Sequence, residues 1–145
     1  MSYVNSVTVA ASYDVVVART RASLAEQGFG ILTEINVRET FAKKLGAESA
    51  DALGDYLILG ACVPRMAERA LAADPNMGAL LPCNVIIRRS ESAEVTTVQA
   101  IDPQTMVQLS DAPEIADVAT EVSKLLQAVL ASIQKSEGTP PPDRP

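Results

Sequence analysis

Histidine and tryptophan are absent from this chain of 145 residues, and only 3% of its residues are aromatic. Histidine is the commonest general base and a common metal ligand, so its absence excludes most familiar catalytic designs. The shortage of aromatic side chains leaves little surface on which nucleic-acid bases or flat cofactors could stack. We therefore expect an interior built mainly from Ala, Val, Leu and Ile, and we predict no cofactor.

Clustered positive charge and long apolar runs are also missing. The chain has 12 basic and 18 acidic residues and a formal charge of −6, which gives no electrostatic driving force for binding a phosphate backbone. No apolar run approaches the roughly 20 residues that a membrane span needs, and the start of the chain carries no basic leader. We expect a cytoplasmic protein with reduced cysteines that binds neither nucleic acid nor membrane.

The pattern of apolar residues predicts an α+β domain over residues 1–135, with a curved antiparallel sheet packed against helices. The tail at 136–145 contains four prolines and no apolar face, which predicts disorder. Residues 47–54 and 75–82 are predicted to be connections. The predicted strands are 6–11, 29–36, 55–61, 83–89 and 94–101, and the predicted helices are 12–27, 37–45, 64–73 and 113–133.

Cys62 follows an apolar strand and precedes the helix that Pro64 is expected to begin. Free N–H groups and the helix dipole favour an anion near such a helix start, so the position could lower the pKa of the thiol and make it a nucleophile or a soft ligand. The alternative is that Cys62 is a small buried side chain of the core.

Cys83 opens the next strand, and Asn84 follows it. If the two strands pair antiparallel, Cys62 and Cys83 are neighbours, whereas a parallel crossover would place them at opposite ends of the sheet. Asn84 is a candidate for hydrogen bonding to a ligand, because a buried amide needs a partner. It could equally bond a backbone group.

A metal site is not predicted. Two cysteines without histidine do not complete a tetrahedral zinc site, although Glu34, Asp102 or a second subunit could add ligands. Glu34 could point into a groove, or it could be an ordinary exposed carboxylate on a strand. The three internal methionines are too far apart in sequence for a copper motif, so they are expected to pack in the core or in loops; they are Met66, Met77 and Met106.

Several ordered motifs resemble the bacterial and archaeal domain-of-unknown-function family 302. They are GFGILTEINV (28–37), FAKKLG (41–46), YLILGACVP (56–64), ERALAADPNMGALLPCNV (68–85) and AIDPQTM (100–106). The resemblance covers roughly residues 5–133. It implies a fold like that of the TATA-box-binding protein, with the order β-α-β-β-β-β-α, and a homodimer. The family pattern has Asn where this chain has Val63, so a side chain that could cap the following helix is missing here.

The leading functional hypothesis is a small binding domain. In this hypothesis Cys62, Cys83, Asn84 and Glu34 lie near a groove that takes a small molecule, a sulfur species or an anion. A second hypothesis is a thiol-dependent redox or sulfur-handling enzyme with Cys62 as nucleophile and Cys83 as resolving thiol. A third is a structural homodimeric interaction module, in which both cysteines would be buried and unreactive.

Overall fold

A computed structural model describes residues 2–135 of the chain. Its strands are β1 (Val4–Val9), β2 (Gly30–Asn36), β3 (Asp55–Cys62), β4 (Cys83–Arg89) and β5 (Thr96–Ile101). Its helices are α1 (Tyr13–Glu26), α2 (Val37–Lys44), α3 (Ala47–Leu53), α4 (Pro64–Ala73), α5 (Gln104–Leu109) and α6 (Pro113–Lys135). The predicted order, β-α-β-β-β-β-α with short helical insertions, is confirmed.

The five strands form one open antiparallel sheet in the order β1-β5-β4-β3-β2. The predicted α+β class is therefore confirmed. In the centre of the sheet, Leu59 of β3 pairs with Val85 of β4, and Ala61 pairs with Cys83. Because alternate residues of a strand face the same side, these four buried side chains lie on one face of the sheet.

The core lies between that face and the helices. In α1, Ser12 is the N-cap residue and accepts a hydrogen bond from the backbone of Val15, as the sequence predicted. The last helix carries an apolar stripe that faces the core, and Leu125 beside it is only partly buried. Burial of one such side chain stabilises the fold by about 1.5 to 3 kcal/mol. The buried apolar residues of the α6 stripe include Ile115, Val118, Val122, Leu126, Val129 and Ile133.

Three short helical segments were not predicted. Residues 47–54, expected to be a connection, contain α3, and the expected loop at 75–82 contains a 3-10 helix, Pro75–Leu80. The third segment is α5, which follows β5. The residue before α3 is Gly46 and the residue before α5 is Pro103, and neither has a side chain that can cap a helix. The usual sequence signal for a helix start is therefore missing at α3. The 3-10 helix and α5 do follow Asp-Pro pairs, and the side chains of Asp74 and Asp102 accept from the backbone N–H groups of Asn76 and Gln104.

Five strand boundaries also differ from the prediction. Strand β1 is Val4–Val9 rather than 6–11, β2 starts at Gly30 rather than Phe29, β3 ends at Cys62 rather than Ala61, and β5 starts at Thr96 rather than Glu94. The proline-rich tail predicted at 136–145 lies outside the described residues. Across residues 2–135, no helix combines the length and the apolar composition that crossing a bilayer requires.

Candidate functional site

The two cysteines lie at one end of the sheet, where β3 passes into α4 and β4 begins. Ala61 is paired with Cys83 in the antiparallel register, and Cys62 is the next residue of β3. Of the two arrangements left open by the sequence, the structure has the one in which the thiols are neighbours. Both cysteines are free thiols, with Cys83 buried and Cys62 partly exposed.

A cavity of about 20 Å³ lies beside both thiols. Its wall is apolar and is formed by residues of β3, β4, α4, α5 and α6, together with Phe29. A water molecule needs about 10 to 15 Å³ of such space, so there is room for about one water-sized guest. None of the described residues that line the cavity carries a formal charge when both thiols are protonated.

Both thiols are held in the protonated form. Burial raises the pKa of Cys62 above its ordinary value. Burial, with a smaller contribution from Cys62, raises the pKa of Cys83 to about 11. The hypothesis of a lowered pKa for Cys62 is therefore wrong, because burial disfavours the charged thiolate and shifts the pKa in the opposite direction.

The start of α4 explains why the helix does not stabilise a thiolate. Val63 is the N-cap residue and provides no side-chain hydrogen bond, and Pro64, the first helical residue, has no N–H. The backbone N–H groups of Met66 and Ala67 already donate to the carbonyl oxygen of Val63, at 2.9 and 3.1 Å. Little donor capacity is left for a neighbouring anion.

Asn84 lies on the opposite face of the sheet from the buried Cys83. It is exposed, and its partner in the register is Gly60 of β3. The two-residue period of a strand was the sequence signal that could have separated Cys83 from Asn84. The structure therefore does not bring the Asn84 side chain to the cavity between the thiols.

The two carboxylates considered as metal ligands are also engaged elsewhere. Glu34 accepts a hydrogen bond from the guanidinium of Arg21, and both side chains are largely exposed. Asp102 accepts from the backbone N–H of Gln104 at 3.0 Å, as expected for a residue that shapes a turn. In the part of the chain that the structure describes, no group of three or more His, Cys, Asp or Glu residues could hold a metal ion.

Two methionines that looked too distant in sequence lie in the wall of this cavity. Met66 belongs to α4 and Met106 to the unpredicted α5, and both line the same space as Cys62 and Cys83. Met77 is buried in the 3-10 helix and is not part of that wall. Sequence spacing gave no signal for this cluster, because α4 and α5 are brought to the same cavity by packing against α6.

A second, more open and polar cavity of about 410 Å³ lies around Arg38. The Arg38 guanidinium donates to Asp51 and Asp55, at 3.0 Å in each case, and lies 3.4 Å from Glu91. Burial, followed by the charge of Asp55, raises the pKa of Tyr13 to about 12 at the same site. These residues are dispersed in sequence and carry no motif. With its guanidinium already paired to carboxylates, Arg38 ties α2 and α3 to the sheet.

Comparisons with known proteins give a family and a fold. The sequence model of the family described as "Domain of unknown function DUF302" matches residues 5–133, which confirms the resemblance seen in the motifs. The structure is similar to the crystal structure of an uncharacterized conserved DUF302 protein from Bacillus stearothermophilus, with a TM-score of 0.80 and 24% sequence identity. That likeness covers 92% of this chain and 99% of the other. No curated protein matches this chain.

Proposed function

This chain belongs to the domain-of-unknown-function family DUF302, and we propose that it is a small binding domain whose cavity beside Cys62 and Cys83 takes a small, soft, uncharged ligand. The observation that carries this proposal is the apolar cavity that both cysteines line, with the pKa of each thiol raised. Of the three ligand classes considered from sequence, it favours a sulfur species.

The size and polarity of the cavity separate these classes. About 20 Å³ is too little space for an organic molecule of several heavy atoms unless α4 moves. An anion would lose its hydration in an apolar wall, for the same reason that both thiols resist ionisation. A neutral, polarizable molecule such as hydrogen sulfide meets neither obstacle.

The methionine methyl groups offer a direct test. We expect the methyl signals of Met66 and Met106 to shift saturably when the reduced protein, labelled with 13C at its methionine methyls, is titrated with sodium sulfide in mildly acidic buffer. The Met77 signal is the internal control, because this residue is buried away from the cavity. Each signal is assigned from the corresponding Met→Leu variant.

Sodium chloride and sodium nitrate are the control titrations. Equal responses to sulfide and to these salts would argue against a site for a neutral sulfur species. A sulfide response that is as large at Met77 as at Met66 and Met106 would argue against binding at this cavity. We expect neither of these two results. Met66 and Met106 line the cavity whereas Met77 does not, and the apolar wall disfavours the anions of the two salts.

A thiol redox enzyme is the second candidate, supported by the neighbouring positions of Cys62 and Cys83. The raised pKa of both thiols works against it, because the thiolate is the attacking species. Native alkylation read by mass spectrometry distinguishes the two candidates. A binding domain predicts slow alkylation of both cysteines at neutral pH, and fast alkylation of Cys62 there would favour the enzyme.

The homodimer implied by the family resemblance and the cytoplasmic location both stay predictions. A structural module would use the sheet face opposite the helices, where the side chain of Ile35 is 48% exposed. Sedimentation velocity of the wild type and of Ile35→Lys checks this alternative. A wild-type dimer that the substitution converts to a monomer would support it.

A further inference from the structure

The chain contains two cysteines and four methionines, and four of these six sulfur-bearing side chains line one small cavity. They are Cys62, Cys83, Met66 and Met106, from β3, β4, α4 and α5. We infer that this cavity is a binding site for one soft monovalent metal ion of the Cu(I) class. The ligands are the thiolates of Cys62 and Cys83 and the thioether of Met106. This inference rests on the same cavity as the proposed function.

The donor atoms decide the class of metal. Thiolate and thioether sulfur select Cu(I), whereas magnesium, calcium and manganese prefer carboxylate, carbonyl and water oxygens. A structural zinc site needs four Cys, His or carboxylate ligands. The described residues that line the cavity include two cysteines and no histidine or carboxylate that could complete a zinc site. The two carboxylates considered from sequence make other contacts, Glu34 with Arg21 and Asp102 with the backbone of Gln104.

The space and the protein environment fit a single ion. The cavity of about 20 Å³ holds one water-sized guest, and its wall is otherwise aliphatic or aromatic. Met106 is 5% exposed and Cys83 is 6% exposed, so two of the proposed ligands are already out of water. A dry sulfur environment protects Cu(I) from solvent and competing oxygen ligands.

Cu(I) binding at this site exchanges protons for the metal ion and involves no electron transfer. Each of the two S–H bonds is replaced by an S–Cu bond, and the two protons leave to solvent. The resulting bis-thiolate complex carries one negative charge. Arg69 Nη1 donates to Met66 Sδ at 3.8 Å, so a guanidinium lies beside the more exposed methionine of the cavity wall. Arg69 is also paired with Glu114 and Glu121, so the three side chains together add no net positive charge beside the complex.

The test is an anaerobic titration of the reduced full-length protein with Cu(I) in the presence of a chromogenic Cu(I) chelator. We expect one Cu(I) per chain, with near-ultraviolet absorption from thiolate-to-copper charge transfer. Cys62→Ser and Cys83→Ser should each weaken binding by more than about 100-fold, because loss of an outer-shell partner alone costs about 10- to 100-fold. Met106→Leu should weaken it by about tenfold.

Met77→Leu is the matched control, since it makes the same substitution at a buried methionine outside the cavity. We expect it to bind Cu(I) as the wild type does. Met→Leu exchanges conserve side-chain volume and are tolerated well in cores, and circular dichroism verifies folding of each variant. Cys83→Ala replaces Cys83→Ser if the buried hydroxyl prevents folding.

Three results would overturn the inference. One is full Cu(I) affinity in Cys83→Ser, which would indicate binding to the more exposed Cys62 alone. Another is an equal loss in Met106→Leu and Met77→Leu, and the third is binding of Zn(II) as tight as that of Cu(I). The sulfide titration separates this inference from the proposed function. If sulfide shifts the methionine methyl signals but the protein does not bind Cu(I), only the metal site is refuted. If the protein binds Cu(I) but sulfide causes no methyl shifts, only the proposed neutral sulfur ligand is refuted.

Discussion

Replacing Cys83 should make the stability of this protein less sensitive to alkaline pH. The side chain is 6% exposed, and burial together with Cys62 raises its pKa from 9.0 to about 11. In the unfolded chain the thiol is hydrated and titrates near its ordinary value. Between these two pKa values the unfolded chain has therefore lost a proton that the folded chain retains.

The sign and magnitude follow from proton linkage. A pKa that is raised in the folded state gives a stabilisation that is fully present below the unfolded value and is lost as the pH rises through the folded value. One proton changes the free energy of unfolding by about 1.4 kcal/mol per pH unit. Over the interval from 9.0 to about 11, Cys83 should account for a loss of about 2 to 3 kcal/mol.

Urea unfolding of the wild type and of Cys83→Ala, measured under reducing conditions across that pH interval, tests this expectation. The variant has a lower stability at neutral pH because it leaves a cavity, but its stability should fall less steeply in alkali. Other titrating groups are common to both proteins and cancel in the difference. Cys62→Ala is the comparison variant, because it removes the smaller cause of the Cys83 shift together with the raised pKa of Cys62 itself. It should lose part of the slope and keep the contribution of Cys83. Parallel curves for the wild type and Cys83→Ala would refute the reasoning.

Three further substitutions test the packing that positions the site, each by urea unfolding. Gly60→Ala should destabilise the fold by about 1 to 3 kcal/mol, because a Cβ there would lie 2.1 Å from Thr33 Oγ1, and adding Thr33→Ala should recover part of the loss. Asn36→Ala should cost about 1 kcal/mol, since Asn36 caps α2 by accepting from Glu39 N at 3.0 Å, and no effect would argue against this cap. Leu126→Ala should cost about 2 to 5 kcal/mol, because Leu126 is 1% exposed, and a loss below that range would mean that the core collapses around the site.

The fold was largely predictable because its elements carry strong local signals. The apolar stripe of α6 and the alternation along β4 each identify one element without reference to the rest of the chain. Helices α3 and α5 escaped prediction for the opposite reason, since they have only seven and six residues and owe their stability to packing. Local patterns therefore defined the architecture but not its short helical connections.

The candidate site was predictable only in part. Cys62 and Cys83 could be selected as a pair because the strands that carry them are long enough to predict, although their proximity depended on the antiparallel pairing. The participation of Met66 and Met106 depends on how α4 and α5 pack, and no local pattern encodes that packing. A sequence shows which sulfur atoms exist, whereas the fold determines which of them share a cavity.

The residues around Cys62 do not provide the stabilised thiolate that the nucleophilic alternative requires. Val63 offers no capping side chain and Pro64 offers no N–H, so the donors that could stabilise a thiolate are missing at the position nearest to it. Burial raises the pKa of both thiols further above neutral pH. A nucleophilic cysteine would need the reverse arrangement, in which the charged form is stabilised before the substrate arrives. A soft ligand that enters an apolar cavity, or a metal ion that displaces the protons as it binds, needs no stabilised thiolate in the free protein, and the cavity between Cys62 and Cys83 is suited to those two kinds of guest.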